Sequence, residues 1–491
     1  MTTVEGAGPW APALRGLTIG LLLSVTTHAL AALAVVTIAP RIPAELGGLE
    51  LYGWIFSANL LASLLGAVWS GGVADRRGVR PPFAGGLAVF GLGLAAAAAA
   101  PSMLWVVAAR ALQGFGGGAV TTLVYVALIR AYPDRHRARL LAYLSAAWVM
   151  PALVGPALAG ALAEAAGWRA VFAALLGVLA LVAWLTLPRL GATGASAAVA
   201  AGTAPAARPG MGLWPATYVV AGLGAVLTAL SWWAERGVGP GSSVAVPVMA
   251  GVVTLLGLAV AGLGLRALLP VGTLRMAPGI GALIAARAGF FAGFIGVEAF
   301  LALMLTDLQG LSSAATGAVI ATGAVAWTVG SWWQARRDGS DEGREARGRR
   351  VVIGVSFLGV GLSLQGVALA GAGGGAVWVT AVAVLGWMTA GFGIGTAHAT
   401  SSVLAFALAE RDGVAAGRVS VALQLADNVG AAFVTGLAGA ALAFVTASTG
   451  ETATSQAAVA AAFAVAWSAW LLSLAAARRN ARSTPAAASR S

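Results

Sequence analysis

The sequence predicts an all-α polytopic membrane protein with 14 transmembrane helices. Three observations carry that expectation. Residues of the AVILMFWYC set form 59% of the 491-residue chain and charged residues 9%, far below the charged surface a soluble chain of this length needs. Apolar runs long enough to cross a bilayer recur from end to end. No alternating strand-length pattern accompanies them, so backbone groups that lipid cannot solvate must pair within helices.

The runs fall at about 16–38, 51–74, 82–100, 103–129, 138–163, 168–187, 214–233, 243–264, 279–305, 311–334, 351–371, 376–407, 418–446 and 456–476. The first is too long for a signal-peptide core and follows an N-terminus whose only basic residue is Arg15, so it reads as an uncleaved span. An even number of spans puts both termini on one side. Of the 29 arginines, 24 lie on that side, in the terminal segments and alternate loops. Only Arg41, Arg169 and Arg236 lie on the other, while Arg110 and Arg287 fall within spans. Positive charge is retained in the cytoplasm, so both termini are expected there.

Three segments outside the spans stand out. Residues 189–213 are an Ala/Gly/Pro-rich linker, 335–350 (ARRDGSDEGREARGRR) read as a solvated loop, and the basic tail from Arg478 on reads as disordered. Tryptophans at span ends, Trp232-Trp233 and Trp332-Trp333, fit an interfacial belt. Glycines four apart, such as Gly289 and Gly293, fit closely packed helices that can slide.

Composition also excludes. With no cysteine, thiol catalysis, disulfides and thiolate metal sites are ruled out. With no lysine, so are a Walker A loop, a Schiff base and a lysine nucleophile. The three histidines and scattered carboxylates show no metal-ligand or nucleophile–base spacing. No enzyme, cofactor or metal is expected. The net charge of +12 reads as membrane orientation, with no nucleic-acid partner.

Four motifs stand in order along the first half. Between spans 2 and 3 the chain reads GGVADRRGVR, with Gly71, Asp75, Arg76, Gly78 and Arg80 at fixed spacing. Span 4 carries Arg110-Ala-Leu-Gln113-Gly114-Phe-Gly116-Gly117, span 5 carries Gly155-Pro156-Ala-Leu-Ala-Gly160 after Pro151, and Gly167-Trp168-Arg169 opens span 6. Together these resemble the major facilitator superfamily: its loop signature G-x-x-x-D-R-x-G-R-R, with Val79 as the departure; its R-x-x-Q-G-x-G; and its antiporter signature G-P-x-x-G-G, with Pro151 where a glycine is usual. Fourteen spans resemble the 14-helix drug:proton antiporter branch. The resemblance implies two six-helix halves plus an inserted central helix pair: 1–188, an N-terminal half; 189–278, the linker and inserted pair; 279–477, a C-terminal half; and 478–491, a basic tail. It also implies alternating access around a central cavity and a bacterial cytoplasmic (inner) membrane location. Relatives carry an acid in span 1 where this chain has Ala31, so coupling through that acid does not transfer.

A carboxylate at the centre of a membrane helix costs about 2.5–3.5 kcal/mol. Two acids read as bearing that cost, Glu298 in span 9 and Asp427, beside Asn428, in span 13. Glu298 lies about 12 Å inside the outer end of its span at about 1.5 Å per residue. It is the leading candidate for a group that binds and releases protons; the alternatives are an acid reaching an outer water-filled vestibule or one hydrogen-bonded in the bundle. Asp427 reads equally well as a second coupling group or as a satisfied packing residue. Arg110 stays charged and needs a partner in the membrane, and the resemblance gives it a place near the proton path. Gln113, three residues on, extends its polar strip. His28 in span 1 and His398 in span 12 lie on helices that line the cavity by family analogy, and either could touch a ligand or relay a proton. Each also reads as a helix–helix hydrogen-bonder.

The leading functional expectation is a proton-coupled exporter of hydrophobic or amphipathic compounds, of the multidrug-efflux type that underlies antibiotic resistance. Its partners are a lipophilic small-molecule substrate, protons and the lipid bilayer. A lipid, glycolipid or endogenous-metabolite exporter of the same fold is the nearest alternative; a non-transporting sensor or scaffold belongs to another class. In the loop signature, Asp75 is expected to cap the N-terminus of span 13, near Gly417 and Arg418, when the cytoplasmic side closes. Arg76 and Arg80 would brace that contact.

Overall fold

The computed structural model describes residues 9–132, 134–192, 212–237, 243–338, 343–372, 376–414, 416–450 and 454–482. Among them are 14 helices of membrane-crossing length and composition. They are α1 (Pro12–Ile38), α2 (Tyr52–Arg77), α3 (Arg80–Ala98), α4 (Met103–Ala131), α5 (Asp134–Ala166), α6 (Trp168–Ala192), α7 (Leu213–Arg236), α8 (Ala245–Leu268), α9 (Ile280–Leu303), α10 (Ser313–Arg337), α11 (Arg344–Ala370), α12 (Val377–Arg411), α13 (Ala416–Thr449) and α14 (Gln456–Arg482). A short helix, Arg41–Leu46, lies between α1 and α2, and a π turn, Met304–Leu308, follows α9. The face from which α1 begins is called here the terminal face, and its opposite the far face.

Each apolar run of the sequence is one helix, and local chemistry sets the ends. Prolines open α1 and α3, where a missing N–H costs nothing. Ser102 and Ser312 cap α4 and α10, accepting from Trp105 N at 3.4 Å and Ala315 N at 3.2 Å. Gly78 ends α2 at φ 79°, a backbone region that side chains rarely enter.

On the terminal face the helices outrun the apolar segments. Arginines close α2, α10 and α12, where positive charge complements the helix C-terminus. Of the segment 335–350, read as a loop, residues 335–337 and 344–350 are helical, and 339–342 lie outside the described residues. Asp338 holds Arg347 at 2.7 Å and Arg350 at 3.8 Å, and Glu345 pairs with Arg349 one turn on at 2.8 Å. The tail expected from Arg478 on continues α14 to Arg482. Its remainder lies outside the described residues, as do 193–211 of the expected linker.

Helices α1–α6 pack mainly through α2 on α4, α3 on α4, and α1 on α5 and α6. Helices α9–α14 pack through α11 on α12, α10 on α12, and α9 on α13 and α14. The two groups meet where α5 crosses α10 and α2 crosses α13. Helices α7 and α8 pack on each other, with Gly222 so near α8 that a Cβ there would lie 2.9 Å from the Ala261 Cβ. Trp54 on α2 donates to Ser231 on α7 at 3.2 Å, and Trp233 meets Phe444 of α13 at 5.3 Å between ring centres. Along α8, Val248, Leu255, Leu256 and Leu263 stay exposed, an apolar face suited to lipid.

Candidate functional site

One stripe of α9 organises the polar interior of the C-terminal group. Arg287, Phe291, Phe294 and Glu298 stand 0, 4, 7 and 11 residues along it, a spacing that keeps all four on one helical face. At one end, Arg287 is 4% exposed and grips Asp427 of α13 with two bonds, Nε to Oδ1 at 2.9 Å and Nη2 to Oδ2 at 2.8 Å. Its Nη1 donates to Ser402 at 2.7 Å, and to Ser401 and the His398 carbonyl at 3.2 Å each, all on α12. The imidazole of His398 completes the cluster, with Nε2 2.6 Å from Arg287 Nη2 and 3.3 Å from Asp427 Oδ2.

Aromatic rings fill the middle of the stripe. Phe294 stacks on Trp387 with centres 4.4 Å apart, and Trp327 of α10 meets Phe291, Phe294 and His398. Glu298 stands beyond them, about 16 Å from Arg287 along the axis at about 1.5 Å per residue. It is buried, and it makes no hydrogen bond or ion pair among the described residues. A charged carboxyl without a partner is costly in such a place.

Across the molecule, Arg110 is buried and pairs with no acid among the described residues. Its Nε donates to the Ile55 carbonyl of α2 at 3.0 Å and its Nη1 to Gln113 Oε1 at 2.6 Å. Gln113 in turn donates to the Gly93 carbonyl of α3 at 2.9 Å and is wholly buried. The pair thus pins α2, α3 and α4 together. His28 packs edge-on against Trp148 and Phe90, its ring centre 5.8 Å and 6.2 Å away, and its buried Nδ1 has no partner. It fits because position 117 is glycine; a Cβ there would come within 2.6 Å of His28 Cε1.

The antiporter signature lies on the seam with α10. Pro151, Gly155, Pro156 and Gly160 are all buried. A Cβ at Gly160 would stand 2.7 Å from the Ala314 amide nitrogen, and one at Gly317 2.8 Å from that of Ala157, so the two backbones touch. Hydrogen bonds join the groups nearby, toward the far face. Arg41 reaches Ser313 Oγ at 2.6 Å and the Ala163 carbonyl at 3.1 Å. Ala314 N donates to Glu164 at 2.9 Å, Tyr52 OH to the Ala299 carbonyl at 2.9 Å, and Ser57 to the Ala432 carbonyl at 2.8 Å.

On the terminal face, the loop signature lies within its own helical group. Asp75 accepts from Arg130 Nη2 at 2.9 Å, and Arg130 Nη1 reaches the Ala74 carbonyl at 3.1 Å. Gly78 forms the turn, Gly71 has open space where a Cβ would project, and Arg76 and Arg80 are exposed. On the far face, Glu45 accepts from Trp168 at 2.7 Å and pairs with Arg169, which also reaches the Ala100 carbonyl at 2.8 Å. The Arg169 and Trp168 hydrogen bonds hold the Glu45 carboxyl below the usual carboxylate range.

Sequence reasoning passed over Arg287, Ser401 and Ser402, which build the cluster around Asp427 and His398. It also passed over Arg41 and Glu164 at the seam. An arginine inside a span was itself the signal for Arg287, because such a charge needs an acid.

The profile of the Major Facilitator Superfamily matches residues 20–434, and the chain belongs to that superfamily. A "Probable multidrug-efflux transporter" of Mycobacterium tuberculosis is 35% identical over 195 residues, 39% of this chain and 41% of that protein. "Multidrug resistance protein 3" of Bacillus subtilis is 27% identical over 154 residues, 31% of this chain and 30% of the relative. Matches to these relatives thus span less than half of their length. Among solved structures, an auto-inhibited POT family peptide transporter aligns over 95% of this chain and 96% of its own, at TM-score 0.63 and 16% identity. A human organic anion transporter covers 94% and 99% at TM-score 0.55 and 17% identity. These two share the fold.

Proposed function

We propose that this membrane transporter exports hydrophobic or amphipathic compounds by alternating access, driven by proton entry. The observation that carries the reading is Glu298: a buried, unpartnered carboxyl at the end of an aromatic stripe. Protonation there would bias one conformation over another provided the two states differ in proton affinity. The multidrug names of the partial relatives support the choice of cargo. The arginine asymmetry supports a cytoplasmic terminal face, with the chain in the inner membrane of a bacterium and both termini inside.

In this reading residues 1–188 and 279–477 are the rocking halves, 189–278 the inserted segment and 478–491 the tail. The seam contacts at Arg41, Tyr52, Ser57 and Glu164 support a reading in which this conformation is closed on its outer side. Asp75 would leave Arg130 for the N-terminus of α13 when the cytoplasmic side closes. Asp427, Arg110, His28, Gln113 and His398 are the supporting groups of the transport path.

Dye and drug uptake into everted membrane vesicles, with and without an imposed pH gradient, tests the reading. Glu298→Gln is expected to abolish gradient-driven uptake while leaving the protein folded and inserted. Full gradient-driven uptake by that variant overturns the coupling assignment. Accumulation of envelope lipid in cells lacking the protein, with no lipophilic drug moved by the vesicles, transfers the assignment to lipid export.

A further inference from the structure

We infer that the Arg287–His398–Asp427 cluster is a second proton-binding site, in which a proton taken up by His398 makes Arg287 release α12. The inference rests on the proton-driven reading above and adds to it the group that receives a proton and the contact that the proton breaks.

The geometry fixes the resting state of the imidazole. An arginine nitrogen can only donate, and Arg287 Nη2 lies 2.6 Å from His398 Nε2. That ring nitrogen must therefore be the acceptor, which places the hydrogen of the neutral ring on Nδ1. Asp427 Oδ2, 3.3 Å from the same Nε2, is an acceptor facing an acceptor until a proton arrives. Arg287 keeps Nε2 as a lone pair by pointing a donor at it.

Adding a proton reverses those relationships. A solvent proton binds the Nε2 lone pair, and the new N–H has Asp427 Oδ2 as its acceptor. The Arg287 N–H that formerly pointed at Nε2 now meets another N–H. The guanidinium must withdraw, and because Nη1, the donor to Ser401, Ser402 and the His398 carbonyl, lies in the same rigid plane as Nη2, those bonds are lost with it. Helix α9 thereby loses its polar hold on α12, while Asp427 of α13 stays bonded to the ring. Within the described residues the charged groups facing the imidazole are Arg287 of α9 and Asp427 of α13; α10 presents Trp327 and α9 also presents Phe291. The His398 side chain is 25% exposed, which leaves a route for the proton. Arg287 is thus a positioning residue: it sets which histidine nitrogen is free and converts protonation into a change between helices.

The chain has three histidines and no cysteine, so both needed probes work on the full-length protein. Nitrogen-15 histidine NMR in lipid, assigned with His28→Gln and His136→Gln, is expected to show His398 as the Nδ1–H tautomer at alkaline pH. Acidification across the range in which this ring titrates should convert it to the doubly protonated form. Spin labels on cysteines introduced at Ala277 and Phe406, before α9 and on α12, should move apart over the same range. His398→Gln should remove that pH response, and Arg287→Gln should leave the helices apart at every pH. An Nε2–H tautomer in the wild type, or an unchanged pH response in His398→Gln, overturns the inference. Both readouts are independent of transport, so loss of the exporter reading in vesicles leaves this result standing, and the converse.

Discussion

Glu164, in the last turn of α5, accepts a hydrogen bond from the backbone N–H of Ala314 in the first turn of α10, at 2.9 Å. Free N–H groups at a helix N-terminus carry positive character and favour an acid. Arg41 closes the same joint from the other side through Ser313 and Ala163. Glu164→Gln keeps an acceptor but loses the charge, and Arg41→Gln loses the bridge. Each substitution is expected to shift the equilibrium severalfold toward a conformation open at the far face. Labelling of single cysteines introduced at Leu49 or Thr316 should accelerate in both variants. Unchanged labelling rates would show that the joint does not hold that face shut.

Much of this fold is legible in the sequence, because in lipid the length of an apolar run directly sets the length of a helix. Each of the 14 expected spans is a helix. The errors lie at the terminal face, where 335–350 and the start of the tail looked too charged to be helical. Ion pairs one turn apart and arginines at helix ends offset that cost, and hydropathy does not register either.

The site was legible in part. Glu298, Asp427, Arg110 and His398 stand out as charge or imidazole in an apolar run. Arg287 was equally visible, yet its partner was not. Glu298 shares its helix and is too far along it to reach, whereas Asp427 lies 140 residues away on a helix whose placement only packing decides. The cap at Glu164 left no trace, since its partner is a backbone N–H that any residue supplies. Asp75 carried a recognisable motif, but a motif does not say which partner an acid holds in a given conformation; here it is Arg130.

Arg110 supports a prediction about stability as well as transport. Removing its guanidinium strands the buried Gln113 Oε1, a loss of about 1–3 kcal/mol. Arg110→Ala should therefore lower the thermal unfolding midpoint in detergent. Replacing both partners by apolar residues, Arg110→Met with Gln113→Leu, should recover most of that loss. If the double variant recovers stability but not gradient-driven transport, Arg110 acts in the transport cycle as well as in the packing. If it recovers both, Arg110 is a structural pin.

Gly160 gives a test of the seam by shape alone. The Ala314 nitrogen that a Cβ would meet at 2.7 Å belongs to backbone, so no side chain can turn aside. Gly160→Ala is expected to part α5 from α10 and increase far-face labelling in the same assay. Gly177 of α6, with nothing within 4 Å of its Cβ position, is the control. Gly177→Ala should leave labelling unchanged and stabilise its helix by about 0.5–1 kcal/mol.

Glu45 ties the short helix Arg41–Leu46 to the start of α6 through Trp168 and Arg169. Its carboxyl is held below the usual range by those hydrogen bonds. A depressed folded-state value means that the stabilisation is full above the ordinary carboxylate range and disappears as pH falls through the lowered value. The group is half exposed, so solvent screening limits the effect to less than about 1 kcal/mol. Protease nicking of the α1–α2 connection in detergent should therefore be slow at neutral pH and rise on acidification below about pH 4. Glu45→Gln should show the faster rate already at pH 7 and lose that acid-dependent increment. An equal acid response in wild type and variant would place the sensitivity on another carboxylate.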